Sequence, residues 1–253
     1  MNALVSVFCC GSQKGGTTSL HAYLREHPAL LTPSRKEIHF FDDESQDWTA
    51  PDYAALDAFF PDNDGSRIRF DVTPIYGFWP PSLGRIHAYN PASRLIFLFR
   101  DPFERAWSQW CMEFARGDET LPFAEAIRAG RRRLDGLPRL APQWRVYSYV
   151  ERGRYAEQVR RALRYFPPEN LLFLRSEDLL SHHRATLARI ASFLGIDPFP
   201  DIGEKRERPR PTIAFPSIPT EADRRVVADE LRDDLRDFAA LTGLDIAAWP
   251  SLG

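Results

Sequence analysis

The chain has 253 residues, 43% of them hydrophobic and 27% charged, which is enough for one sizeable core and favours one domain over two. A net charge of −2 excludes the global basicity of a nucleic-acid-binding protein, and no run of about 18 apolar residues offers a membrane span. Three cysteines, Cys9, Cys10 and Cys111, make no disulfide framework and point to a reducing compartment.

The opening MNALVSVFCC is short, lacks a basic n-region and runs straight into GSQKGGTTS, so it reads as a first strand and not as a signal peptide. A cytoplasmic protein is the expectation. Residues 4–10 form a continuous apolar run ending at Gly11, the pattern of a strand buried on both faces. Residues 17–26 carry Leu20, Tyr23 and Leu24 at helical spacing. A short helix is expected near 51–60 and a strand over 67–72. Residues 94–99 read as a strong strand, followed by a helix from about Phe103 to Phe114. A strand over 170–174, a helix over roughly 182–194 and a final helix over about 220–241 stopped by Gly243 complete the series. Strands alternating with helices predict an α/β fold with a central parallel sheet flanked by helices, a P-loop-like three-layer arrangement. The segments 42–66, 116–146 and 198–219 read as irregular excursions from one domain spanning 1–253.

The stretch Gly11–Ser19 lies between a buried strand and a helix start. Glycines there allow positive φ and close approach to a ligand, and the helix amides behind them face an anion. Lys14 adds a charge, and Thr17, Thr18 and Ser19 add hydroxyls. Gly11 and Gly16 keep the glycine spacing of a nucleotide triphosphatase loop, but Thr17 stands at the lysine position and the lysine comes earlier, at Lys14. A plain strand-to-helix turn is the alternative reading of these residues taken alone.

Lys14-Gly15-Gly16-Thr17-Thr18 after a first strand resembles the 5′-phosphosulfate loop of sulfotransferases that use 3′-phosphoadenosine 5′-phosphosulfate (PAPS), in particular the bacterial and heparan-sulfate branch. Leu95–Pro102 followed by Arg105, Ala106 and Ser108 is similar to that family's 3′-phosphate site, which implies that Arg100 and Ser108 hold the 3′-phosphate. Lys36-Glu37-Ile38-His39-Phe40-Phe41-Asp42 and Asp71-Val72-Thr73-Pro74-Ile75-Tyr76 resemble further family segments, as do Gly153-Arg154-Tyr155, Arg175–Leu179 and Leu244–Trp249. Two departures stand out. Heparan-type enzymes often carry a lysine where this chain has Val72, and the aryl and steroid branch has an adenine-touching tyrosine where this chain has Ser176.

The resemblance implies an enzyme that moves a sulfuryl group from PAPS to a hydroxyl or amine of a glycan or small-molecule acceptor, releasing adenosine 3′,5′-bisphosphate. Lys14 is expected to stabilise the bridging oxygen of the leaving group, while Gly15, Gly16, Thr17, Thr18 and Ser19 hold the 5′-phosphate. Lys205 and Arg206 fall where the family places a basic loop over the 3′-phosphate and adenosine. The donor has no β- or γ-phosphate to clamp, so no metal is expected. Glu37 leads as general base because burial by Phe40 and Phe41 is expected to raise its pKa; His39 is the alternative, already near the useful range. Arg131-Arg132-Arg133 reads as a solvated helix face, and Trp79, Trp107, Trp110 and Trp144 as core aromatics more than acceptor lining. The rival functions are a small-molecule kinase using ATP and magnesium, and a non-catalytic nucleotide-binding module. No nucleic-acid partner is expected, and the abundant Arg, Ala and Pro fit a GC-rich bacterial source.

Overall fold

The structure is a computed structural model and describes residues 4–61, 65–205 and 214–252. In chain order its elements are β1 (Val7–Gly11), α1 (Thr17–Leu24), β2 (Leu30–Leu31), α2 (Tyr53–Asp57), β3 (Ile68–Val72), α3 (Ser82–Tyr89), β4 (Arg94–Phe99), α4 (Pro102–Arg116), α5 (Phe123–Leu134), α6 (Gln143–Val146), α7 (Tyr155–Tyr165), β5 (Leu171–Arg175), α8 (Ser176–Ser181), α9 (His183–Leu194) and α10 (Glu221–Thr242). The chain divides into two compact units, Met1–Phe99 with Arg161–Arg208, and Arg100–Arg160 with Pro209–Gly253.

The first unit holds the sheet. Its five strands run parallel in the order β2-β3-β1-β4-β5, which bears out the expected α/β class. The pleat sorts each strand's side chains between two faces. Val7 and Cys9, Phe70 and Val72, and Ile96 and Leu98 pack with Leu20, Tyr23 and Leu24 of α1 and Leu187, Ile190 and Leu194 of α9. The alternate residues serve the other face: Phe8 meets Phe41 edge-on at 5.6 Å, and Phe97 stacks on Phe99 at 5.8 Å. Asp71 falls between Phe70 and Val72 and so turns away from that apolar cluster. The chain runs from β1 to one side of the sheet and later returns to the other, so a topological switch point lies beyond the carboxyl end of β1, where such folds bind ligands.

The second unit is helical. Asp101 caps α4 by accepting the Glu104 amide at 2.9 Å, with Pro102 pre-set in the first turn. Trp107 and Trp110 stack at 4.9 Å, and Phe123 of α5 meets both edge-on. A capping box between Thr220 and Asp223 starts α10, and Gly243 at φ 67° ends it where the sequence placed the stop.

Boundaries differ in physically readable ways. β1 starts at Val7, not residue 4, although Ser6 still exchanges bonds with Arg69 and Arg94. The segment 116–146 is not irregular throughout, because α5 buries Phe123, Ala126, Ile127, Gly130 and Leu134 on one face. Arg131 and Arg132 in its last turn are exposed as expected, while Arg133 pairs with Glu119 at 2.7 Å. Trp79, Trp107, Trp110 and Trp249 are buried; Trp144 is half-buried.

Candidate active site

The phosphate loop is fastened at its root. Pairing of β1 with β4 shifts register between Cys9 and Gly11, and such an irregularity re-aims the chain at a strand end. Ser12 then donates its amide to the Leu98 carbonyl at 2.8 Å and its hydroxyl to the same oxygen at 3.2 Å. The Gly15 amide closes a turn on the Ser12 carbonyl at 2.9 Å. A methyl at Gly15 would strike the Leu98 carbonyl and lie 2.7 Å from Ser12 Oγ, so only glycine fits. Gly16, at φ 90°, caps α1 with no side chain, so the first-turn amides of Thr17 and Thr18 have no carbonyl within the helix to bond. That turn carries no acidic residue, as an anion site requires. Lys14 sits at φ 68°, a conformation costly for a residue with a β-carbon and characteristic of functional loops. From the first turn of α8, just after β5, Ser176 approaches the loop, its hydroxyl 3.2 Å from where a Gly16 β-carbon would stand.

The second constellation follows β2. Glu37 lies between two cations, with Lys36 Nζ 3.2 Å from one carboxylate oxygen and His39 Nε2 3.2 Å from the other. His39 Nδ1 meets the Asp42 carboxylate at 3.0 Å. A ring with a carboxylate at each nitrogen donates from both, which is the imidazolium form. His39 is accordingly raised to about 9: burial opposes the charge, but hydrogen bonds to Asp42 and Glu37 outweigh it. Glu37 moves the other way, to about 2, because burial is overcome by the His39 hydrogen bond and the Lys36 charge.

Both results correct the sequence reading. Burial does push Glu37 up, but the His39 hydrogen bond and the Lys36 charge outweigh it, and His39 is a cation in the resting site rather than a ready base. The expected outcome is an imidazole titration near 9 for His39 by NMR, falling toward 6.5 in Asp42→Asn. The stability that His39 protonation contributes is complete below 6.5 and is lost as pH rises through about 9. The Glu37 contribution is complete above 4.5 and is lost as pH falls through about 2. A melting series should therefore lose stability from His39 on the alkaline side; a His39 titration at 6.5 would refute the network.

His39 also sits at φ 60°, and a strained residue of this kind, worth about 1–3 kcal/mol, persists only where its surroundings over-determine it. Those supports come from the turn after β3. Thr73 Oγ1 accepts the Ile38 amide at 3.1 Å, and the Tyr76 hydroxyl oxygen accepts the Phe40 amide at 3.1 Å. Arg35 and Gln46 hold the Ile38 and Phe40 carbonyls at 2.9 and 3.0 Å. Val72, in place of the heparan-type lysine, is buried in the apolar cluster. Asp42, Asp71 and Ser12 were not singled out from sequence; the resemblance of their segments signalled Asp42 and Asp71, and the glycine-rich stretch from Gly11 to Ser19 signalled Ser12.

In the second unit, Arg100 leads into α4 and pairs with Glu104 at 3.1 Å. Glu104 and Ser108 are one turn apart on that helix and share its partly exposed side, which places Arg100 and Ser108 along the same face. Tyr155 donates its hydroxyl to the Arg100 carbonyl at 2.8 Å, which gives the Gly153-Arg154-Tyr155 segment a physical role. Arg105, by contrast, is fully buried and donates to Gln109 and the Tyr149 carbonyl.

The Lys205 ammonium pairs with Glu26 at 2.7 Å and its amide donates to the Tyr23 hydroxyl at 2.8 Å. Arg206 lies outside the described residues.

A family model described as the sulfotransferase domain matches residues 5–207. Heparan sulfate glucosamine 3-O-sulfotransferase 6 of Homo sapiens is 32% identical over 190 residues, 74% of this chain and 51% of its own length. Heparan sulfate glucosamine 3-O-sulfotransferase 3B1 of Homo sapiens is 32% identical over 186 residues, 74% of this chain and 45% of its own. The chain thus spans about half the length of the curated relatives it matches. A solved sulfotransferase from Alicyclobacillus acidocaldarius superposes with a TM-score of 0.81 at 25% identity, over 98% of this chain and 99% of that one.

Proposed function

The chain belongs to the sulfotransferase domain family, and from that premise we propose that it transfers a sulfuryl group from PAPS to a hydroxyl or amine of a glycan or small-molecule acceptor. The observation that carries this reading is the phosphate loop at the switch point, with its lysine placed before the paired glycines. The Gly16, Thr17 and Thr18 amides and the Thr17, Thr18 and Ser19 hydroxyls take the 5′-phosphate, with Gly15 shaping the loop through its amide bond to the Ser12 carbonyl, and Arg100 with Ser108 takes the 3′-phosphate. Lys205, paired with Glu26, and Arg206 complete the donor contacts on the side of the 3′-phosphate and adenosine.

In the transfer, the acceptor oxygen attacks sulfur and the bond from sulfur to the bridging oxygen breaks. The electron pair stays on the 5′-phosphate of adenosine 3′,5′-bisphosphate, where Lys14 neutralises it. Glu37 takes the acceptor proton. Its low pKa suits a loose transition state of the kind known in phosphoryl transfer, in which the acceptor proton is still in place until bond formation is advanced. His39, charged and backed by Asp42, keeps the carboxylate oriented. No step calls for a metal, because there is no β- or γ-phosphate to clamp.

The reading treats residues 1–253 as one domain of a cytoplasmic bacterial enzyme. Among the described residues no helix is long and apolar enough to cross a membrane. The relatives named for heparan sulfate glucosamine favour a carbohydrate acceptor. Incubation with PAPS and a panel of glucosamine-containing oligosaccharides and hydroxylated small molecules tests this. The expected product is one acceptor heavier by one SO₃, matched by adenosine 3′,5′-bisphosphate. Release of inorganic sulfate alone across the whole panel would reject acceptor transfer.

A further inference from the structure

We propose that Asp71 is a positioning residue for the transfer step: through the Thr73 and Tyr76 hydroxyls it holds the backbone on both sides of His39 and so aims Glu37 and His39 at the acceptor. The inference rests on the reading of Glu37 as the acceptor base.

The geometry is a two-armed clamp. Asp71 is 1% exposed, and its two carboxylate oxygens serve two different partners. Oδ1 accepts the Thr73 hydroxyl at 2.8 Å and Oδ2 accepts the Tyr76 hydroxyl at 2.8 Å. An ionised carboxylate is acceptor-only, so both hydroxyls must donate to it, which leaves their oxygens to accept. Each does: Thr73 takes the Ile38 amide and Tyr76 takes the Phe40 amide, both at 3.1 Å. Those amides bracket the left-handed His39, which touches both Glu37 and Asp42.

The chemistry makes the carboxylate hard to replace. An asparagine of the same shape presents an NH₂ to one of the two hydroxyls. That hydroxyl can no longer donate to residue 71, and its oxygen is claimed by the new donor in competition with a backbone amide. Protonation of Asp71 itself does the same. Burial raises this carboxyl to about 6, against the Thr73 and Tyr76 hydrogen bonds that lower it. The titratable groups facing it are Glu37 and His39 from the segment after β2, Tyr76 from the turn after β3, and Cys9 and Cys10 from β1. Cys9 and Cys10 are both pushed up by burial and stay neutral. The acid limb at about 6 therefore belongs to Asp71, since Glu37 sits far below and His39 far above it.

The test is Asp71→Asn, read three ways. We expect kcat lower by about 10²-fold with the KM for PAPS unchanged, the usual scale for a displaced reacting group. Wild-type kcat should fall as pH drops through about 6, and this limb should vanish in the variant. Amide hydrogen exchange at Ile38 and Phe40 should quicken. Tyr76→Phe should quicken Phe40, and Phe41 through its longer 3.5 Å bond, but not Ile38, and Thr73→Val should quicken Ile38 but not Phe40, so the clamp is still tested if Asp71→Asn does not fold. Wild-type kcat, pH profile and exchange in Asp71→Asn, or unchanged exchange in both hydroxyl variants, would overturn the inference. If the wild-type protein binds adenosine 3′,5′-bisphosphate but transfers to no acceptor, the enzyme reading fails; unchanged exchange then still overturns the clamp, and quickened exchange supports it.

Discussion

Glu37→Gln is expected to lower kcat by about 10³-fold, roughly 4 kcal/mol of barrier, while adenosine 3′,5′-bisphosphate still binds with nearly wild-type affinity. Glutamine keeps the volume of the side chain but cannot take a proton. Its NH₂ would also face either Lys36 Nζ or the His39 ring, each 3.2 Å from the present carboxylate. The loss should fall on kcat and not on the donor KM, because Glu37 belongs to the acceptor side of the reaction. The pH profile separates the two carriers of the proton. With Glu37 as base, the wild-type rate does not climb as pH passes about 9. If neutral His39 were the base, the rate would rise there, and Glu37→Gln would lower the pH at which it rises. Steady-state kinetics across pH on both proteins decides between them.

Lys14→Ala is expected to cost a similar factor, about 10²- to 10³-fold in kcat, by removing the charge that meets the leaving oxygen. Alanine keeps the β-carbon and so leaves the loop's left-handed turn as it is. The Ser12 anchors on Leu98 and the Gly15 turn involve only other residues, so the loop should keep its path. The bisphosphate product should therefore lose much less affinity than the reaction loses rate. Equal losses in binding and rate would make Lys14 a donor-binding residue and no more. Lys14→Arg should restore only part of the activity, since a planar guanidinium does not reproduce a compact ammonium.

How much of this was legible in the sequence depended on whether the signal was local. The phosphate loop was, because strand end, glycines, lysine and helix start are contiguous, and so was α4, announced by Asp101-Pro102. β2 was not, since two residues carry no periodicity. In α5 the apolar spacing from Phe123 to Leu134 was present, but the neighbouring prolines and the Arg131–Arg133 run masked it. Within the site, Glu37 and His39 were readable as residue types and their protonation was not. Proximity to aromatics suggested a raised carboxyl, whereas the fold sets two cations against it and two carboxylates on the imidazole. Asp71 was least legible. Its partners Thr73 and Tyr76 are close in sequence, but the amides those hydroxyls hold lie some 35 residues away, a distance only the folded sheet closes.

The measurement that tests the central claim most directly is isothermal titration of the protein with adenosine 3′,5′-bisphosphate and, separately, with ADP plus magnesium, repeated on Arg100→Ala. A PAPS-dependent enzyme binds the 3′-phosphorylated ligand in strong preference, and loses that preference when Arg100 is removed. Equal or tighter binding of ADP with magnesium would contradict the sulfotransferase account and put an ATP-dependent kinase in its place.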